Sequence, residues 1–285
     1  MVDKSDVLPK TIGSPIVVDG LKAISILDDN PGSKGLYLVV GGTAVQSYLP
    51  EAYRRPTSDI DLSVGRPLNR AEFKEFAGPV FEYLQDHGYE LSTEKRNSNF
   101  KVAVSRPKDR ETLLLEFSRR NPQKYGQVGH RLQREIENGR RKTIDGTSLD
   151  YLAASPEDIV IPKLVRGIGT LERQPGVADE LERVFNGEVD LNQVIRYVIE
   201  QQAIARGSTE SGRPEESRIK SDLYDILCLS RFAGLNDTYL NRVGEEWLRI
   251  SQESKELQFL TRLLSLKLAP TKDRTQGQLP LPIDS

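Results

Sequence analysis

Residues 39 to 64 read VVGGTAVQSYLPEAYRRPTSDIDLSV. An apolar run, Leu36 to Val40, ends in Gly41-Gly42 and reads as a buried strand. Thr43 to Leu49 has helical character, and the proline-containing loop PEAYRRPTS then delivers the chain to Asp-Ile-Asp-Leu-Ser-Val. Polar and apolar residues alternate in that second run, which predicts a strand with one wet face. Side chains two apart on a strand share a face, so Asp59 and Asp61 project together while Ile60 and Leu62 enter the core.

Two carboxylates held side by side repel each other and call for a compensating cation. Hard oxygen donors of this kind suit Mg²⁺ or Mn²⁺, and Mg²⁺ normally keeps waters and binds through a few carboxylates plus phosphate oxygens. A strand that ends in Gly41-Gly42 and turns into a helix brings backbone N–H groups close to an anion without a side chain in the way, and Thr43 adds a hydroxyl. Arg55 and Thr57 are candidates to touch phosphate or position the aspartates, against the alternative of a simply solvated loop arginine. The whole stretch is consistent with a site for a nucleoside triphosphate. The competing reading of Asp59 and Asp61 is a sheet edge charged against aggregation. For the glycines it is a simple tight turn, which the cradle does not contradict.

Composition limits the other possibilities. The chain has 285 residues, which suggests two domains or one domain with a substantial extension, and with 37% apolar and 29% charged residues it is polar but has enough apolar content to fold. A single cysteine excludes an internal disulfide and a cysteine-based zinc cluster, and two histidines make a histidine-rich metal site equally poor. Any metal is therefore held by oxygen. No stretch has the length of uncharged apolar sequence a membrane span needs, and MVDKSDVLPK lacks the apolar run of a signal peptide, so a cytoplasmic protein with no membrane partner is expected.

Further along the chain, Asn69 caps an expected helix through Asp86, with Phe73, Phe76, Val80, Phe81 and Leu84 at helical spacing and Gly88 as its stop. YELSTE, FKVAVS and TLLLEFS follow as three strands, and after about residue 150 strand signals cease. Ser155-Pro156 opens a helix carrying Lys163, and helical patterns recur at 176–186, 190–205, 218–232, 236–249 and 254–268, interrupted by the Gly/Ser/Pro-rich loop 205–217. The predicted fold class is α+β. A domain with a small mixed sheet spans 1–150, a helical domain 151–270 and a loose tail 271–285. Residues 119 to 142 carry eight basic groups against two acidic ones, which reads either as a docking surface for a polyanion or as a solvated charged face.

Gly-Gly, a spacer and Asp-x-Asp on the next strand resemble the signature of the DNA polymerase beta-like nucleotidyltransferases. More closely, GGTAV…RRPTSDIDL is similar to the GGTAL…R-x-T-x-D-I-D run of the AbiEii-type family, which includes MenT-like toxins of toxin–antitoxin systems. SPEDIVIPKLVRG resembles that family's segment with a helical lysine, here Lys163. RIKSDLYDILCL resembles its R-x-x-D segment, here with Asp222, at a longer interval from the lysine than the family's.

The resemblance implies a polymerase beta-like fold and a metal site of Asp59, Asp61 and a third carboxylate on an adjoining strand, for which Glu116 in TLLLEFS is the candidate. It implies catalytic roles for Lys163 and Asp222, an NTP substrate, the 3′ end of a tRNA as acceptor, and a cognate antitoxin as partner. Set against it are a surface lysine reading of Lys163, a local ion-pair network of Asp222 and Asp225, and an ordinary solvent-facing Glu116. A nucleotide-sugar glycosyltransferase also uses Asp-x-Asp, though it has no need of Gly-Gly at the end of the preceding strand. A non-catalytic nucleotide- or RNA-binding module is the third functional reading.

Overall fold

The computed structural model describes residues 10–65, 68–96, 99–106, 108, 111–119, 128–171 and 215–250. The chain divides into two compact units, Met1–Ile159 and Val160–Ser285. All the described strands belong to the first.

In chain order that unit runs α1 (Pro15–Ser25), β1 (Tyr37–Val40), α2 (Gly41–Gln46), β2 (Asp59–Val64), α3 (Arg70–Asp86), β3 (Glu90–Arg96), β4 (Asn99–Arg106), β5 (Glu111–Arg119), α4 (Val128–Glu137), β6 (Arg140–Thr143) and β7 (Asp150–Ala153), and α5 (Pro156–Leu171) begins in it. The seven strands form one mixed sheet in the order β3-β4-β5-β2-β1-β7-β6. β1 pairs antiparallel with β2 and parallel with β7, and β2 pairs parallel with β5. β3-β4-β5 and β6-β7 are antiparallel.

Alternation along the strands sorts the two faces. Ile60 and Leu62 of β2, Leu113, Leu115 and Phe117 of β5, and Phe100, Val102 and Val104 of β4 are buried together. α3 covers them: the Phe73 ring stacks on Phe100 at 3.9 Å between centroids and meets Phe117 edge-on at 5.1 Å. α1 lies so close that a Cβ on Gly20 would sit 2.9 Å from a Leu113 methyl and 3.1 Å from one of Ile60. α3 starts where expected, with Asn69 and Glu72 forming a complete capping box, and stops at Gly88, whose φ is +79°.

Two strands go beyond the sequence reading. β6 is RRKT, a short basic strand with no apolar face to announce it, and it forms one edge of the sheet. β7 follows it back antiparallel, so the strands end at Ala153, just past the expected limit. In the second unit α6 (Glu215–Phe232) and α7 (Asp237–Ile250) occupy the two helical patterns expected there. The helices expected at 176–186, 190–205 and 254–268, the tail 271–285 and all but the last residues of the loop 205–217 lie outside the described residues. Among the described residues no helix is long and apolar enough to cross a membrane.

Candidate metal centre

β2 and β5 run side by side with Asp61 opposite Glu116 and Asp59 opposite Leu114. Register partners share a face, so Asp59, Asp61 and Glu116 rise from the side of the sheet opposite α1 and α3. One carboxylate oxygen from each lies within 4.8 Å of the others. Three acidic groups this close destabilise one another unless a cation stands among them, and all-oxygen donors match a hard divalent ion.

Local packing fixes the first aspartate from two directions. The Thr57 hydroxyl donates to Asp59 Oδ1 at 2.8 Å, and the Thr43 hydroxyl donates to the Asp59 backbone carbonyl at 2.9 Å. Thr43 is fully buried and Asp59 nearly so. The expected wet face of β2 is therefore covered at Asp59, and Asp61 is half-buried. The segment ahead of Thr57 is itself tied down: Lys10 and Thr57 exchange backbone hydrogen bonds of 2.7 and 2.8 Å, and the Ile12 N–H donates to Gln46 Oε1 on α2 at 2.8 Å. Lys10 donates its ammonium to the Thr112 carbonyl, and burial holds its pKa below the ordinary lysine value despite Glu111.

The glycines do two jobs. Gly41 has φ +69°, and a Cβ there would lie 2.2 Å from Asp61 Oδ2. Only glycine leaves the second aspartate its place. At Gly42 an added Cβ would lie 3.0 Å from Thr57 Oγ1 and 3.6 Å from an Arg55 guanidinium nitrogen, so the backbone there is bordered by the two loop residues singled out above. α2 is only six residues long, which leaves little helix dipole for an anion.

Sequence reasoning missed Lys101. It faces Glu116 across the β4-β5 pairing and donates to Glu116 Oε1 at 2.7 Å. The alternation of FKVAVS, with Phe100 and Val102 turned to the core, already put Lys101 on the polar face, but only the strand register names its neighbour.

In the second unit Lys163 is buried, and its ammonium bonds Asp222 Oδ1 at 2.6 Å and Asp225 Oδ2 at 2.8 Å. Asp222 and Asp225 sit three apart on α6, and Asp225 has no exposed surface. A lysine clamped between two buried carboxylates is not a solvated surface lysine.

The basic run divides among different environments. Arg134 is buried against Asp158 at 2.7 Å, and Ser155 donates to the other Asp158 oxygen while capping α5. Arg140 reaches Glu157 at 3.6 Å, Arg141 pairs with Asp28, and Lys142 lies 3.8 Å from the Tyr48 ring centroid. Burial and Arg140 hold the Lys142 pKa below its ordinary value. This stretch is therefore not one continuous exposed face. Arg120 and Lys124 lie outside the described residues, as do the side chains of Arg119 and Arg131.

No protein-family model matches the chain, and no curated protein matches it. Among solved structures it is similar to an antigenic nucleotidyltransferase-like protein from Paracoccidioides brasiliensis, with 15% sequence identity and a TM-score of 0.42 over 90% of this chain and 95% of that one. A likeness this distant fixes neither fold nor activity.

Proposed function

We propose that the protein is a metal-dependent nucleotidyltransferase that moves a nucleoside monophosphate from an NTP to an acceptor hydroxyl. One observation carries this reading: three carboxylates on adjacent parallel strands offer oxygens within 4.8 Å of one another, and one of them, Asp61, lies where a side chain at Gly41 would stand. Asp59, Asp61 and Glu116 would hold Mg²⁺ or Mn²⁺. When bound, such an ion neutralises the triphosphate and stabilises the leaving pyrophosphate.

The chain's own residues supply the rest. Thr57 holds the Asp59 carboxylate and Thr43 its backbone carbonyl, so little reorganisation is required of Asp59 during reaction. The Gly41-Gly42 backbone and Arg55 approach the phosphates, and Thr57 lies beside them. The acceptor oxygen attacks the α-phosphorus, the bond to the β-phosphate oxygen breaks, and the hydroxyl proton passes to a carboxylate of the triad. Lys163 and Asp222 enter as catalytic residues through the motif resemblance, as do the tRNA 3′ end as acceptor and the role of toxin held by an antitoxin.

The test is incubation of the full chain with Mg²⁺, total tRNA and each α-labelled NTP in turn, beside Asp59→Ala. Label on tRNA that vanishes in the folded variant is the expected result. Label on protein alone would replace the acceptor, and undiminished transfer by Asp59→Ala would overturn the mechanism.

A further inference from the structure

Across the polar face of the sheet, one register row reads Glu94 on β3, Lys101 on β4, Glu116 on β5 and Asp61 on β2. Lys101 thus stands between two glutamates, one inside the acidic triad and one outside it. Its ammonium is on Glu116 Oε1 at 2.7 Å, with the lysine side chain one-quarter exposed. Neighbouring strands are about 4.8 Å apart, so a lysine can swing from one cross-strand partner to the other without any backbone change.

We propose that Lys101 is a two-position counter-ion for the metal centre: it neutralises Glu116 when the triad is empty and moves to Glu94 when a divalent cation takes Glu116. This rests on the triad being a metal site. A monocation beside a ligand repels an incoming dication, and a carboxylate committed to an ammonium must be released before it can ligate. Lys101 therefore lowers metal affinity while holding Glu116 in place without metal. By linkage, the cation and the Lys101–Glu116 contact exclude each other to the same degree. Glu94 favours the metal-loaded arrangement, because it receives the displaced ammonium. Lys101 and Glu94 are positioning residues in this scheme, acting through Glu116.

The test is a Mn²⁺ titration of the full chain followed by electron paramagnetic resonance of the free ion, without nucleotide. It compares wild type, Lys101→Met, Glu94→Gln, the double variant and Asp61→Asn. Lys101→Met should bind Mn²⁺ on the order of tenfold more tightly, given the size of a single-charge repulsion at this range. Glu94→Gln should weaken binding in wild type, and that weakening should shrink sharply once Lys101 is gone; a residue that only supports the sheet has no reason to show this coupling. Should Lys101→Met not fold, Lys101→Gln is read in its place. Unchanged or weaker binding in the lysine variants, while Asp61→Asn abolishes it, overturns the proposal and leaves the metal centre standing. No binding by wild type, or binding that survives Asp61→Asn, overturns both.

Discussion

Gly41 is the residue on which the site is built. An alanine there meets Asp61 Oδ2 at 2.2 Å and must adopt φ +69°, a conformation that costs a side-chain-bearing residue roughly 1–2 kcal/mol. Gly41→Ala should lose metal binding and at least that much stability, seen as a drop in melting temperature beside an absent Mn²⁺ signal. Intact Mn²⁺ affinity would mean that Asp61 is not a ligand. Thr57→Val keeps the shape and removes the donor to Asp59 Oδ1. Groups that orient metal ligands commonly matter by about ten- to a hundredfold in affinity, and that loss is expected here, with Thr57→Ser restoring most of it. Equal affinity in the valine variant would make Thr57 a packing residue.

At the scale of elements, the helix pair α5 and α6 holds a charged cluster with one lysine and two aspartates. Lys163→Met strands two buried carboxylates, and removing one partner of a buried ion pair typically costs about 3–5 kcal/mol. Thermal unfolding should show a loss of that size; an unchanged melting temperature would free Lys163 from a structural duty. β2 and α3 were legible because period-two alternation in DIDLSV and the cap Asn69 with its stop Gly88 are local signals. β6 was not, since RRKT is held by pairing with β7 rather than by any apolar face of its own. Asp59 and Asp61 were visible as a pair, whereas Lys101 became a neighbour of Glu116 only through a register spanning fifteen residues. The helix expected over Thr43 to Leu49 instead begins at Gly41 and ends at Gln46, and the glycine's steric service to Asp61 depends on a packing distance no pattern encodes.

For the whole molecule, alkaline pH is the informative variable. Burial raises the pKa of Tyr37, Tyr48, Tyr89 and Tyr151 well above the ordinary tyrosine value, with Asp28 adding to the effect at Tyr37 and Asp19 at Tyr89. The folded state keeps these protons after the unfolded chain has begun to lose them. Their stabilising contribution is therefore complete below about pH 10 and is lost as pH rises above it. Lys10 and Lys142, with lowered pKa values, act in the opposite sense at and just below the ordinary lysine range. Denaturant midpoints should fall as pH climbs past about 10, and the four tyrosines should ionise at 295 nm only on unfolding. If every tyrosine titrates reversibly near pH 10 in a protein that stays folded, the burial assigned to those four is wrong.

In the proposed function Asp59, Asp61 and Glu116 together bind the divalent ion that serves a nucleoside triphosphate. The most direct measurement is the anomalous difference map of crystals grown with Mn²⁺ and a non-hydrolysable NTP. A peak within ligand distance of all three carboxylates, with the triphosphate running past Gly41 and Gly42, is the expected result. Bound nucleotide with no anomalous peak at the triad, or a peak held by other residues, would contradict it.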